Sequence, residues 1–159
     1  EFVPTRGLLM EFSGHIADAC WAEKYNIGEE FPNFSSVTFV QNKGASFERL
    51  AGASLLIEAK SKKGDDLLII RGLNPLQNII NGLSAEDFYT KFTEYLKPIA
   101  EKMGRKLAIV IDDHSGGAST NRPVLFNYLK GLELRKVILD TKPNTEFNGY
   151  DITHDCFLV

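Results

Sequence analysis

The sequence predicts one domain of the α/β (α+β) class, built on a mixed, mostly antiparallel twisted sheet with helices on both faces. Three observations carry that expectation. Two apolar segments, residues 48–60 and 67–71, flank the polar turn SKKGDD around Gly64, the pattern of a two-stranded antiparallel hairpin. After Ser84, the residues Phe88, Phe92, Leu96 or Tyr95, Ile99 and Met103 recur at helical spacing up to Gly104. The run Leu107-Ala108-Ile109-Val110-Ile111 then reads as a buried strand, so the hairpin leads through a crossover helix into a parallel strand.

Each remaining element has a local reason. Ser13 is the expected cap of a helix over residues 14–26, with Ile16, Ala19, Cys20 and Trp21 on one side. EEFPNFSS is a loop and Ser36–Gln41 a strand. Beyond the hairpin, Asn74 as cap and Pro75 at the first helical position open a short helix, LQNIIN, that Gly82 stops. Ser84 with Asp87 resembles a capping box for the long helix, which Pro98 is expected to kink or divide. A helix over 121–131 ends at Gly131, and strands at Val137–Asp140 and 147–159 complete the order.

A chain of 159 residues fits a single domain, 1–159, and a domain of that size buries about 68–70% of its unfolded surface, enough for a full core. Its first residues, Glu1-Phe2 without Met, suggest excision from a longer protein. A net charge of −3 argues against a protein that wraps nucleic acid, which needs a basic face. No apolar run reaches the roughly 18–20 residues of a membrane span, and no signal-peptide pattern opens the chain. Two cysteines, Cys20 and Cys156, outside any CxxC pair, favour a reducing, cytoplasmic setting and leave a single bridge between them open.

IDDHSGGASTNRP, residues 111–123, is the most chemically loaded stretch. Asp112, Asp113 and His114 stand at the carboxyl end of a predicted parallel strand, where open α/β sheets form ligand crevices. One carboxylate could orient His114 for general-base work, two could hold a divalent cation, or both could simply accept hydrogen bonds from loop amides. Gly116 and Gly117 permit close backbone approach to an anion, and Arg122 adds charge or pairs with the aspartates. The Arg71-Gly72-Leu73-Asn74-Pro75 turn offers the same logic.

Arg49-Leu50-Ala51-Gly52-Ala53 opening a strand, the hairpin into LLIIR, the long helix into LAIVI, and Asn121 followed by Tyr128 and Gly131-Leu132 together resemble the GNAT acyltransferase superfamily over roughly residues 35–140. The segments correspond to that family's third and fourth strands, following helix and fifth strand. The resemblance implies transfer of an acyl group from acetyl-coenzyme A, or another acyl-coenzyme A, to a small-molecule or peptide amine. It implies that Tyr128 protonates the leaving thiolate, that Asp112, Asp113 or His114 is the base, and that Arg71, Gly72, Asn74, Gly116, Gly117, Asn121 and Arg122 contact the cofactor; no metal is expected. One motif departs: the family's Arg/Gln-x-x-Gly-x-Gly/Ala loop into the long helix is replaced by RGLNP and an inserted short helix.

Other readings are available from the same residues. A GNAT-like domain without catalysis would serve as a binding module for other domains of a parent chain. Glu58-Ala59-Lys60 matches the end of the PD-(D/E)XK nuclease pattern, with Glu48 as the acidic partner for a shared metal. Cys20-Trp21-Ala22 resembles the Cys-Trp-Ala of papain-like peptidases, against the alternative of a buried thiol beside a buried Trp. His154-Asp155-Cys156 with Asp112 and His114 would be the raw material of a metal site.

Overall fold

The computed structural model describes residues 1–23, 27–112, 119–140 and 155–159. In chain order these form β1 (Phe2–Thr5), α1 (Leu8–Glu11), α2 (Ser13–Ile16), a 3-10 turn (Cys20–Glu23), α3 (Ile27–Glu30), β2 (Phe34–Val40), β3 (Leu50–Lys60) and β4 (Asp66–Pro75). There follow α4 (Gln77–Gly82), α5 (Ala85–Lys102), β5 (Lys106–Val110), α6 (Pro123–Lys130), β6 (Arg135–Ile138) and β7 (Asp155–Leu158). The strands make one seven-stranded sheet in the order β1-β2-β3-β4-β5-β7-β6. Among the described residues only β4 and β5 pair in parallel. The α+β class and the mostly antiparallel mixed sheet are thus observed.

The hairpin forms for the reason its sequence gives. Gly64 takes φ 90°, Ser61 N–H donates to the Asp65 carbonyl at 2.9 Å, and Asp65 N–H donates to Ser61 Oγ at 3.0 Å. That turn sets Lys60 opposite Asp66 and Glu58 opposite Leu68, fixing the face of every later residue. Leu68 and Ile70 of β4 enter one core while Leu67 and Ile69 enter the other. A strand buried on both faces reads as a continuous apolar run, as LLII does.

The first core lies under α5 and α6, which contribute Phe88, Phe92, Leu96, Leu125 and Leu129. Phe39 meets the rings of Phe88 and Phe92 edge-on at centroid distances of 5.2 and 5.3 Å. Such pairs add about 0.5–1.5 kcal/mol each beyond the area they bury. The second core lies under the N-terminal segment, which contributes Met10, Ala17, Trp21 and Ile27. The Trp21 indole N–H donates to Ser13 Oγ at 2.9 Å, and that hydroxyl donates to the Met10 carbonyl at 2.6 Å. A buried indole therefore keeps its hydrogen bond.

Several expectations are corrected. The helix expected over 14–26 is broken: α2 ends at Ile16, Asp18 takes φ 49°, and the chain resumes as the 3-10 turn. Ser13 serves Trp21 instead of capping a helix. Arg71–Pro75 is strand and not turn, and Leu76 occupies the N-cap position of α4 in place of Asn74. The cause is a β-bulge: Arg71 faces Leu55 and Asn74 faces Ala53, so Gly72 and Leu73 together oppose Ser54. Gly72 has φ 60°, and a Cβ there would lie 2.5 Å from the Trp21 ring.

Pro98 does not divide α5, which runs unbroken from Ala85 to Lys102. Its cap is as expected, with Asp87 N–H donating to Ser84 Oγ at 3.0 Å. The helix expected over 121–131 starts later, at Pro123, and the strand expected at Val137–Asp140 lies earlier, at Arg135–Ile138. Of the strand expected at 147–159, Asp155–Leu158 is in place and residues 147–154 lie outside the described residues.

At the hairpin end the sheet curls onto itself. Leu139, just past β6, bridges to Ser61. Lys62 N–H donates to the Ile138 carbonyl and Asp140 N–H to the Lys60 carbonyl, both at 2.9 Å. Leu139 is fully buried beneath this seam.

Candidate functional site

The candidate crevice sits at the carboxyl ends of β4 and β5. The two strands pair from Leu67 with Lys106 to Ile70 with Ile109, after which β5 stops at Val110 and β4 continues to Pro75. The opening is laced by the chain that returns toward α6. Leu73 N–H donates to the Ser119 carbonyl at 2.8 Å, while Ser119 donates to the Asp112 carbonyl through both its N–H and its Oγ at 3.1 Å. Asn121 N–H donates to Asn74 Oδ1 at 2.7 Å, Asn121 Nδ2 donates to the Asp18 carbonyl at 2.8 Å, and Arg122 Nε donates to the Pro75 carbonyl.

At the base of the opening Arg71 is completely buried, and its Nη1 lies 3.2 Å from Asp112 Oδ2. Arg71 shares a face with its register partner Leu55, in the core under Trp21. Taking a guanidinium out of water is costly unless a counter-charge and hydrogen bonds accompany it, and Asp112 supplies the charge. Its side chain is 13% exposed, so the pair meets the surface on the carboxylate side. Burial lowers the Arg122 pKa, opposed by the nearby Asp18 charge, and the guanidinium remains protonated at neutral pH.

Of the expected catalytic residues, Asp112 and Tyr128 can be placed. Asp113, His114, Gly116 and Gly117 lie outside the described residues. Tyr128 belongs to the other layer, under α5 and α6, where its ring meets Tyr89 edge-on at 5.7 Å. Burial raises the Tyr128 pKa, helped by the charge of Glu86. Tyr89 is pushed up to about 12, chiefly by burial, and its hydroxyl has no hydrogen-bond partner among the described residues. Arg71, Asp112, Asn74, Asn121 and Arg122 are brought together through their shared contacts; Tyr128 and Arg71 face opposite layers.

The nuclease residues do not converge. Glu58 accepts from Arg6 Nη2 and Arg105 Nη2, both at 2.8 Å, and Lys60 pairs with Asp66 at 2.8 Å. Glu58 stands eight residues past the start of β3, about 26 Å along the strand at ~3.3 Å per residue, while Glu48 precedes that start. Glu48 is occupied by the Ala45 amide at 3.0 Å. Cys156 is buried, with its thiol donating to the Val137 carbonyl at 3.5 Å, and His154 lies outside the described residues. Among the described residues no group of His, Cys, Asp and Glu could hold a metal ion.

The sequence does not mark Asp18 and Ser54, whose contacts shape the crevice. Ser54 Oγ donates to the Arg71 carbonyl at 3.3 Å across the bulge. No local signal marks these two, because each acts through a partner at least 17 positions away. No family model, no curated protein and no solved structure matches this chain.

Proposed function

We propose that the chain is a GNAT-like acyltransferase domain that moves an acyl group from an acyl-coenzyme A to an amine, with the donor entering where β4 and β5 part. The carrying observation is that opening: a parallel pair joined through Ile70 and Ile109 whose longer strand runs on, bulged, to Pro75. The N-terminal strand adds a second support. With β1 counted, the segments that resemble the family's third, fourth and fifth strands are the third, fourth and fifth in this chain.

In such a reaction the amine nitrogen attacks the thioester carbonyl, the carbon–sulfur bond breaks, and one proton moves from the amine to the thiolate. Tyr128 is the candidate donor for the second half of that transfer, as a phenol that is protonated at neutral pH. Asp112, Asp113 and His114 are the candidate bases. Arg122, partly exposed at the opening, is the group that fits an anionic donor; Arg71 and Asn74, both buried and turned to internal partners, do not.

That last observation favours a second reading, a GNAT-like binding module without catalysis. Titration calorimetry with acetyl-coenzyme A and coenzyme A, followed by a thiol-release assay with a peptide amine, separates the two. The acyltransferase reading expects binding, turnover, and a loss of about 100-fold or more in Tyr128→Phe if that proton donor is used. Silence at millimolar ligand ends it, and binding without turnover selects the module.

A further inference from the structure

The open part of the seam between the hairpin tip and β6 forms a groove of about 300 Å³ lined by Ser61, Lys62, Lys63, Asp65, Arg135, Lys136, Val137 and Ile138. It lies at the end of the sheet away from the crevice, and nothing in the acyl-transfer reading uses it. Lys62, Lys63 and Arg135 are exposed and make no salt bridge among the described residues. The one acid in the lining, Asp65, is already held by Lys106 Nζ at 2.7 Å. The groove is therefore strongly cationic on a chain whose net charge is −3.

Ile138 supplies an apolar surface in the lining, while its neighbour Val137 turns to the other face of β6. Ile138 is 49% exposed, and Val137 packs its partly buried side chain against the second core. Cations on an edge strand also discourage strand-to-strand aggregation. That role accounts for Arg135 and Lys136 on β6 but not for Lys62 and Lys63 on the facing turn. A bare phosphate would match the cations and leave the exposed Ile138 uncovered. An extended peptide that sets an apolar side chain between carboxylates satisfies both.

We propose that this groove docks an acidic, extended peptide segment of a partner, its carboxylates toward Lys62, Lys63 and Arg135 and an apolar side chain over Ile138. The test is fluorescence anisotropy of a fluorescein-labelled peptide, DELDEFD, against the intact chain. Binding is expected to weaken at least tenfold in the triple variant Lys62→Glu/Lys63→Glu/Arg135→Glu and severalfold in Ile138→Ser, and to weaken with added salt. Inorganic tripolyphosphate and a single-stranded oligonucleotide are expected not to displace the peptide at matched charge. The single variant Lys63→Glu, at an exposed turn position, gives the same reading if the triple variant folds poorly. Absence of binding, binding indifferent to charge reversal, or displacement by either phosphate polymer overturns the proposal.

Discussion

At its hairpin end β4 opens with Asp66, whose carboxylate meets Lys60 Nζ at 2.8 Å in open solvent. Five residues later the same strand buries Arg71 completely and sets it 3.2 Å from Asp112. Both are ion pairs of ordinary geometry, yet they do different work. The exposed pair is screened by water and salt, and either member can be lost with little consequence. The buried pair holds a charge that water does not reach. What fixes the difference is the layer above each pair: solvent over the hairpin, and Trp21 with the N-terminal segment over Arg71.

Breaking the buried pair is the most severe test. Asp112→Ala is expected to lower stability by about 3–5 kcal/mol in urea unfolding, because it removes the counter-charge from a guanidinium that is completely buried. The double variant Arg71→Met/Asp112→Leu should lose less than the sum of its single variants; strict additivity would show that the two ends of β4 do not differ in this way. Backbone substitutions sharpen the same contrast. Gly72→Ala combines a φ of 60° with a Cβ placed 2.5 Å from Trp21, whereas Gly64→Ala at the hairpin meets nothing within 4 Å. Roughly 2 kcal/mol is expected at Gly72 and about 1 kcal/mol at Gly64, the strain of a left-handed non-glycine residue alone.

Titration extends the comparison to the two layers. Tyr89 ionises at about 12, raised by burial. Its neutral form is favoured by the fold, so that contribution is complete below the ordinary tyrosine value near 10 and is lost as pH rises from there to about 12. Ultraviolet absorbance of the phenolate should show a late-ionising component, to which Tyr95 and Tyr128 also contribute, that shrinks in Tyr89→Phe. The smallest effect belongs to Lys60→Ala. The Asp66 carboxyl is held below 3.8, first by its hydrogen bond from Lys60, and should return toward that value in the variant. A lowered carboxyl pKa contributes above the unfolded value and fades as pH falls through the folded one, so the contribution is present at pH 7; because the pair is solvent-exposed and screened, its loss should barely move the urea midpoint there.

The parts of the fold legible in the sequence are those whose causes are local. The hairpin turn around Gly64, the Ser84 and Asp87 cap and the Phe88, Phe92, Leu96 stripe all act within a few residues of themselves. β1 was illegible because FVPT is short and carries a proline; what makes it a strand is Phe2 packing on Phe39 and Phe92, far along the chain. Asn74-Pro75 satisfies a helix-start rule, and the pairing of Asn74 with Ala53 across the bulge overrides it. At the crevice, Arg71 and Asp112 were each named as candidates for chemistry. Their partnership was not, because 41 residues separate them and only the parallel register brings them together.

β7 lies between β5 and β6, so strands made earlier are joined only by one made later. Its four residues pair with Ala108–Val110 on one side and Arg135–Ile138 on the other, and Cys156 is fully buried between them. A ribosome that has finished β6 has produced two strands with no common neighbour, and at roughly 5–20 residues per second the wait for β7 lasts about a second or more. During that interval the hydrogen-bonding edges of β5 and β6 are both open to other chains. The keystone of this sheet is laid last, and the nascent protein depends on its surroundings until it arrives.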